Sequence, residues 1–130
     1  MLIYADTSAL IKIVIREPES AALEAFLHEI DVLVTSRITQ VELVRSTQRQ
    51  LAAKPSVIDE ILGQLVFREV TRDIAASAGL LEPTQLLSLD AIHLASAIEM
   101  RNELDAFLTY DTRLAEAARQ NGLTVAMPTA

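Results

Sequence analysis

The chain has 130 residues, of which 51% are hydrophobic but only 4% aromatic, so its core must be aliphatic. This length suits one domain, which we expect to span residues 1–130. The absence of cysteine excludes disulfides, thiolate catalysis and cysteine-ligated zinc. A net charge of −7 excludes attraction of nucleic acid to the whole surface, so bound cations or a few local arginines would be needed for it.

The first apolar run does not look like a targeting segment. No basic stretch precedes it, and Asp6 and Lys12 interrupt it, so a signal peptide is not expected. No uncharged apolar run is long enough to span a bilayer. We therefore expect a soluble, cytoplasmic protein.

Hydrophobic periodicity and capping residues divide the chain into alternating strands and helices. The pattern predicts strands at 2–6, 31–35, 67–70, 105–109 and 123–127, and helices at 7–15, 20–30, 37–53, 56–65, 72–81, 89–101 and 112–121. The expected N-caps are Ser36, Thr71, Ser88 and Asp111, and Gly122 suits the end of the last helix. This alternation predicts an α/β fold with a mostly parallel sheet.

Two aspartates stand at the carboxyl ends of predicted strands. Asp6 ends the first strand, and Asp111 lies two residues beyond the strand that ends at Thr109. The carboxyl ends of parallel strands line the binding crevice of an open α/β sheet, which favours a functional role. Each aspartate also stands where a helix needs an N-cap, which requires no chemistry. Position alone does not choose between these interpretations.

Glu42 lies inside the predicted helix 37–53. It flanks the apolar stripe that would face the core, which is formed by Ile38, Val41 and Val44. Two arginines share its own face, Arg45 and Arg49. A surface Glu–Arg pair is therefore the more common interpretation of Glu42 taken by itself.

Asp90 enters the first turn of the predicted helix 89–101. Its early positions are otherwise nearly all apolar, with Ile92, Ala95 and Ile98 turned inward. The helix dipole favours an acid at this point without any chemical function. A helix that is apolar on most sides is central to a domain, so we expect its one early acid to lie near the core.

We expect these four carboxylates to meet at the end of the first strand. Together they would repel one another and their pKa values would rise, which a divalent cation resolves. Ligands that are all oxygen favour Mg²⁺, with Mn²⁺ able to substitute. Such an ion can activate water and stabilise charge on a phosphoryl oxygen. Ser8 and Thr109 are candidate hydrogen-bond donors to the carboxylates or to water on the metal.

The two histidines do not by themselves indicate a catalytic site. His93 lies on an apolar helix, where a histidine is more often packed and hydrogen-bonded than catalytic, and His28 is expected on the surface. The chain has only three glycines and no glycine-rich phosphate loop.

Four segments together resemble the PIN-domain ribonucleases, and specifically the VapC toxins of bacterial type II toxin–antitoxin modules. They occur in the order of that family and are 4–12 (YADTSALIK), 39–43 (TQVEL), 89–97 (LDAIHLASA) and 108–114 (LTYDTRL). Each segment is modest alone, but the four in order are specific, and the similarity covers essentially the whole chain.

The resemblance implies a three-layer α/β/α sandwich on a parallel sheet of four or five strands. It also implies Mg²⁺ or Mn²⁺ held by Asp6 and Asp90, with Glu42 and Asp111 bound directly or through water. The implied activity is endonucleolytic cleavage of RNA by activated water. The implied partners are a second copy of the chain and a VapB-like antitoxin that wraps the early helices and reaches the acidic site.

The choice of RNA is not indicated by any motif. Four arginines are candidates for contacts to RNA phosphates: Arg16, Arg37, Arg45 and Arg113.

Two other functions of an aspartate at the end of a strand do not fit the sequence. A phosphatase of the haloacid-dehalogenase type needs a second aspartate two residues after the first, but position 8 is serine. A receiver module needs a lysine near the end of a late strand, but the only lysines are Lys12 and Lys54. The remaining alternative is a non-catalytic PIN-like regulatory module that binds metal and a partner.

Overall fold

The computed structural model describes residues 1–49 and 54–129. Its strands are β1 (Leu2–Ala5), β2 (Val32–Ser36), β3 (Val66–Arg68), β4 (Ala106–Leu108) and β5 (Val125–Ala126). Its helices are α1 (Thr7–Val14), α2 (Ser20–Leu27), α3 (Arg37–Arg49), α4 (Pro55–Gln64), α5 (Arg72–Gly79), α6 (Ser88–Glu99) and α7 (Thr112–Gln120). The predicted order of elements is confirmed, while residues 50–53, predicted to end the third helix, lie outside the described residues.

All five strands form one parallel sheet in the order β3-β2-β1-β4-β5. The central strand is β1, with Ile3 opposite Leu33 of β2 on one side and Ala106 of β4 on the other. The chain first builds outward from β1 to β2 and β3, and then returns to the other side of β1 with β4. The carboxyl end of β1 is therefore a topological switch point, where open α/β sheets form their binding crevice.

Side chains of the central strands alternate between two hydrophobic layers. Ile3 and Ala5 pack with residues of α1 to α4, whereas Tyr4 packs with residues of α6 and α7. Burial on both faces explains why β1 is a continuous apolar run rather than an alternating one. The predicted three-layer α/β/α sandwich with a parallel sheet is confirmed.

Side-chain caps fix where several helices begin. Asp6 accepts a hydrogen bond from the Ala9 amide, and Asp111 accepts from the amides of Arg113 and Leu114. Thr71 caps α5 and the Ser36 hydroxyl accepts from the Ile38 amide, both as predicted. Gly122 follows α7 with φ +84°, a conformation that favours glycine.

Two local predictions were wrong. Ser88 is the first residue of α6 rather than its N-cap, which is Leu87 and has no side-chain capping bond. Helix α3 is rotated relative to the predicted wheel, because Val41 is 58% exposed while Thr39 and Leu43 are fully buried. The inward face of α3 carries a polar residue where it meets the sheet, since the hydroxyl of Thr39 lies 2.7 Å from the hydroxyl of Thr35 on β2.

Candidate active site

Neighbouring strands place Asp6 beside Thr109. Ala5 of β1 is opposite Leu108 of β4, and the Asp6 amide donates to the Leu108 carbonyl at 3.1 Å. The residues that follow these two strands therefore lie side by side at the carboxyl edge of the sheet. This pairing brings the first carboxylate and its hydrogen-bond donors together.

The Asp6 carboxylate is only 3% exposed and is surrounded by donors. The hydroxyls of Ser8 and Thr109 each donate to it at 2.7 Å, and the Ala9 amide donates at 3.1 Å. Burial raises the pKa of Asp6, and the bonds from Thr109 and Ser8 oppose that rise. Asp6 therefore caps α1 and is also fixed at the switch point, so its two interpretations are compatible.

Glu42 reaches the same region from α3. Its Oε1 accepts from the Thr7 hydroxyl at 2.7 Å and lies 3.1 Å from Nε2 of His93. Partial burial would raise the pKa of Glu42, but these bonds from His93 and Thr7 outweigh it and hold the pKa below its ordinary value. In the described part of the chain, Glu42 thus pairs with His93 and not with an arginine.

Asp90 and Asp111 complete the acidic lining. All four predicted acids, with Ser8, line one cavity of about 230 Å³, whose other lining residues are Thr7, Ile11, Ser46 and His93. The pKa of Asp90 is raised by burial and by the neighbouring charge of Asp111, with smaller contributions from Asp6 and Glu42. Asp111 caps helix α7 and also lines the cavity, so its two predicted roles are compatible.

The donors around this cavity are carboxylate and hydroxyl oxygens, which suit a hard divalent cation. The electrostatics also fit, because the mutual repulsion that raises the Asp90 pKa is what a cation would relieve. Among residues 1–49 and 54–129, however, no three acidic or histidine side chains form a ready-made metal site.

A larger groove of about 830 Å³ continues from the acidic cavity. Asp90 and Asp111 line both, so the two spaces meet at these carboxylates. One wall of the groove is the segment before α6, and the other is the exposed face of α7. Its further lining residues are Pro83, Gln85, Leu86, Leu87, Thr112, Arg113, Glu116, Ala117 and Gln120.

The four candidate arginines are placed differently. Arg113 lines the groove, and Arg45 is exposed on α3. Arg16 pairs with Glu24 at 2.9 Å. Arg37 pairs with Glu69 at 2.6 Å, and its guanidinium also lies over the ring of Phe67. Arg113 is the one of the four that lines the groove beside the acids.

The sequence did not indicate that Thr7 and His93 form hydrogen bonds with Glu42. Thr7 and Thr39 are buried, and His93 is packed and hydrogen-bonded, as expected for a histidine on an apolar helix. His28 is exposed at the end of α2, also as expected. The available signal was the polar Thr7 beside Asp6, at the start of a helix that is otherwise apolar on its inner face.

Comparison with known proteins places this arrangement in a family. The sequence pattern of the PIN domain matches residues 3–120. The chain belongs to the PIN-domain family. Within that family, a relative named ribonuclease VapC47 from Mycobacterium tuberculosis is 38% identical over 134 residues, covering 98% of this chain and 97% of the relative. Ribonuclease VapC46 of the same species is 35% identical over 126 residues, covering 97% of each chain.

Solved PIN-domain structures share the fold. The DNA-bound VapBC complex from Salmonella typhimurium has a chain that matches with a TM-score of 0.74 at 21% identity, over 98% of both chains. VapC20 of Mycobacterium tuberculosis, a toxin that cleaves the sarcin–ricin loop, matches with a TM-score of 0.72 at 14% identity, over 94% of this chain and 96% of that one. In the described part of this PIN-domain chain, no helix is both long and apolar enough to cross a membrane.

Proposed function

We propose that this protein is a metal-dependent endoribonuclease and the toxin of a type II toxin–antitoxin module. The observation that carries the proposal is the single cavity lined by Asp6, Glu42, Asp90 and Asp111 at the switch point of the sheet. The proposed ribonuclease activity is supported by relatives named ribonuclease VapC that are 35–38% identical over nearly the whole chain.

Asp6 and Asp90 are the proposed direct ligands of Mg²⁺, with Mn²⁺ able to substitute. Glu42 and Asp111 would hold the ion directly or through water. Mg²⁺ in proteins commonly keeps several waters and binds only one or two carboxylates, so a preformed cage of protein ligands is not required. When bound, the ion would lower the pKa of a water molecule and neutralise charge on a phosphoryl oxygen.

Side chains of this protein would orient the attacking water and accept a proton from it. Within the described residues, the bonds to Glu42 from Thr7 and His93 both fall on Oε1, which leaves Oε2 to accept a hydrogen bond from the attacking water. Because the pKa of Glu42 is held below its ordinary value, this carboxylate is ionised at neutral pH. Ser8 and Thr109 would keep Asp6 fixed during the reaction, because both donate to its carboxylate.

The groove supplies a path for the RNA strand. It meets the acidic cavity at Asp90 and Asp111, so a strand in the groove would bring a phosphate to the carboxylates. Arg113 offers a phosphate contact, and the exposed Leu87 offers an apolar surface for a base. Arg16, Arg37 and Arg45 remain proposed phosphate contacts farther along the strand.

The proposed partners follow from the same relationship. Structural neighbours of this chain include VapBC complexes from Salmonella typhimurium and Rickettsia felis, which supports a VapB-like antitoxin as the partner that silences the activity. We also propose that the protein is a homodimer that acts in the cytoplasm, where its RNA substrate would be found.

Cleavage of RNA by the purified protein tests the proposal. We expect cleavage with Mg²⁺ or Mn²⁺ that EDTA abolishes, and a loss of about 100-fold or more in Asp6→Ala and Asp90→Ala. Asp73→Ala is the matched control, because Asp73 occupies the first turn of α5 as Asp90 does in α6. Sequencing RNA ends after brief induction in a bacterial host would identify the substrate.

The same experiment separates the enzyme from a regulatory module. If Asp6→Ala and Asp90→Ala cut RNA as fast as the parent protein, then the acids do not carry the reaction. If the parent protein binds antitoxin but cuts no RNA with either metal, the alternative of a non-catalytic metal- and partner-binding module is the correct one.

A further inference from the structure

A chain of hydrogen bonds runs from the core of the protein to Glu42 through His93. The imidazole is 2% exposed. Its Nδ1 lies 2.8 Å from the hydroxyl of Tyr4, and its Nε2 lies 3.1 Å from Oε1 of Glu42. The two ends of the ring therefore face partners on different elements, the central strand β1 and the helix α3.

The partners of the ring determine its tautomer. Glu42 is ionised and can only accept, so Nε2 must carry the proton of that hydrogen bond. A neutral ring then has a bare Nδ1, which accepts from the Tyr4 hydroxyl. The Tyr4 hydroxyl has one proton to donate, and at 2.8 Å it is close enough to donate it to Nδ1.

Tyr4 is itself held in place by packing. Its ring stacks on Phe107 with centroids 5.4 Å apart and an angle of 5° between the planes. The edge-to-face contact with His93 has centroids 5.9 Å apart at 76°. Both aromatic residues are fully buried, so the hydroxyl of Tyr4 has a fixed position toward Nδ1.

We propose that His93 is a positioning residue whose Nε2–H, fixed by its carboxylate acceptor and supported by Tyr4 at Nδ1, holds Oε1 of Glu42 so that Oε2 is directed to the reacting water. This inference rests on the proposed ribonuclease function. Thr7 supports the same oxygen by donating to it at 2.7 Å, so Oε1 is held from two sides. His93 thus acts through Glu42, and it does so from a position that is almost fully buried.

The tautomer is measurable without metal or RNA. Long-range ¹⁵N–¹H correlation spectra distinguish the two ring nitrogens, and the chain has only two histidines. We expect His93 to show protonated Nε2 and bare Nδ1, and we expect Tyr4→Phe to shift the signal of the bare Nδ1 while Nε2 stays protonated, because Glu42 still accepts from it. The exposed His28 should be unaffected by Tyr4→Phe and serves as the internal reference.

Kinetics of two substitutions then separate positioning from packing. Gln at position 93 can still donate to Glu42, whereas Leu fills a similar volume and cannot. We expect His93→Leu to lower kcat by about 10–100-fold, the usual effect of removing a residue that orients a metal ligand by a hydrogen bond. KM should change little, because His93 does not line the RNA groove. His93→Gln should recover most of kcat, and His28→Leu should leave both constants unchanged.

Two results would overturn the inference. One is a His93 ring with protonated Nδ1 and bare Nε2 in the parent protein, which would mean that the ring donates nothing to Glu42. The other is equal loss of kcat in His93→Gln and His93→Leu when circular dichroism shows both to be folded, which would mean that His93 only packs. A parent protein that cleaves no RNA overturns the proposed function instead, and the tautomer still decides whether the His93 ring donates to Glu42.

Discussion

The hydroxyl of Thr109 donates a hydrogen bond of 2.7 Å to Oδ2 of Asp6 across the two central strands. The same hydroxyl oxygen accepts from the amide of Asp111 at 3.0 Å. The Thr109 side chain therefore links the carboxylate of Asp6 to the backbone of Asp111. The spacing of these two acids depends on this link.

Replacing Thr109 by valine keeps the shape of the side chain and removes both hydrogen bonds. A buried carboxylate that loses one donor has its desolvation less well compensated, so we expect Thr109→Val to lower the free energy of unfolding by about 1–3 kcal/mol. Urea denaturation at pH 7 measures this change. Thr124→Val is the control, because Thr124 is exposed. Equal stability of the two variants would contradict the importance of the bond to Asp6.

Asp90 should limit the stability of the metal-free protein at neutral pH. Burial and the charges of Asp111, Asp6 and Glu42 raise its pKa in the folded state. A raised pKa means that the folded protein takes up a proton more readily than the unfolded chain, so stability increases as the pH falls through that pKa. At pH 7 the ionised carboxylate is therefore destabilising, and Asp90→Asn removes that effect.

We expect Asp90→Asn to raise the melting temperature at pH 7 by roughly 3 °C, as a gain of about 1 kcal/mol would do. The gain should shrink as the pH is lowered from 7 through the raised pKa of Asp90, where the carboxyl takes up its proton. Asp73→Asn should instead destabilise slightly at pH 7, because it removes an acid from the first turn of α5. Scanning calorimetry across this pH range checks both, and a destabilised Asp90→Asn at pH 7 would be evidence against repulsion among the acids.

Divalent metal should stabilise the folded protein by relieving the same repulsion. At a concentration about 100 times its dissociation constant, an ion that binds only the folded state adds about 2.7 kcal/mol to the free energy of unfolding. We expect Mg²⁺ and Mn²⁺ to raise the melting temperature of the parent protein, and Asp6→Asn to reduce the rise. KCl at matched ionic strength is the control, and an equal rise with KCl would mean that screening rather than binding is responsible.

The order of elements and the positions of Asp6 and Asp111 could be predicted because their signals are local. A continuous apolar run followed by Asp6 indicates both the central strand and its binding end. Likewise, Asp111 follows a short buried strand and caps the next helix. Parallel pairing then brings such strand ends together without further information from the sequence.

The orientation of α3 could not be predicted in the same way. The helical wheel predicted that Val41 faces the core, but Val41 is exposed. It did not predict that Thr39 is buried against Thr35 of β2. The hydrogen bond between Glu42 and His93 joins residues 51 positions apart, and the hydrogen bond between His93 and Tyr4 joins residues 89 positions apart. Polar burial of this kind is decided by distant partners that satisfy the hydrogen bonds, so helical periodicity does not reveal it.

The last prediction concerns Arg113, which lines the groove beside Asp90 and Asp111. If its guanidinium contacts an RNA phosphate, then Arg113→Ala removes one contact that displaces a counterion on binding. We expect KM to rise several-fold with kcat little changed. The slope of log KM against log salt concentration should fall by about 0.7, the value for one phosphate of a single strand.

Arg119→Ala is the matched control for this measurement. Arg119 lies on the same helix α7 and is exposed, but it pairs with Glu116 at 3.8 Å and does not line the groove. It removes the same charge from the protein, so both variants change the overall field equally. A similar KM and salt slope in the two variants would therefore place the RNA strand outside the groove, whereas an effect confined to Arg113→Ala locates a phosphate next to the acidic cavity.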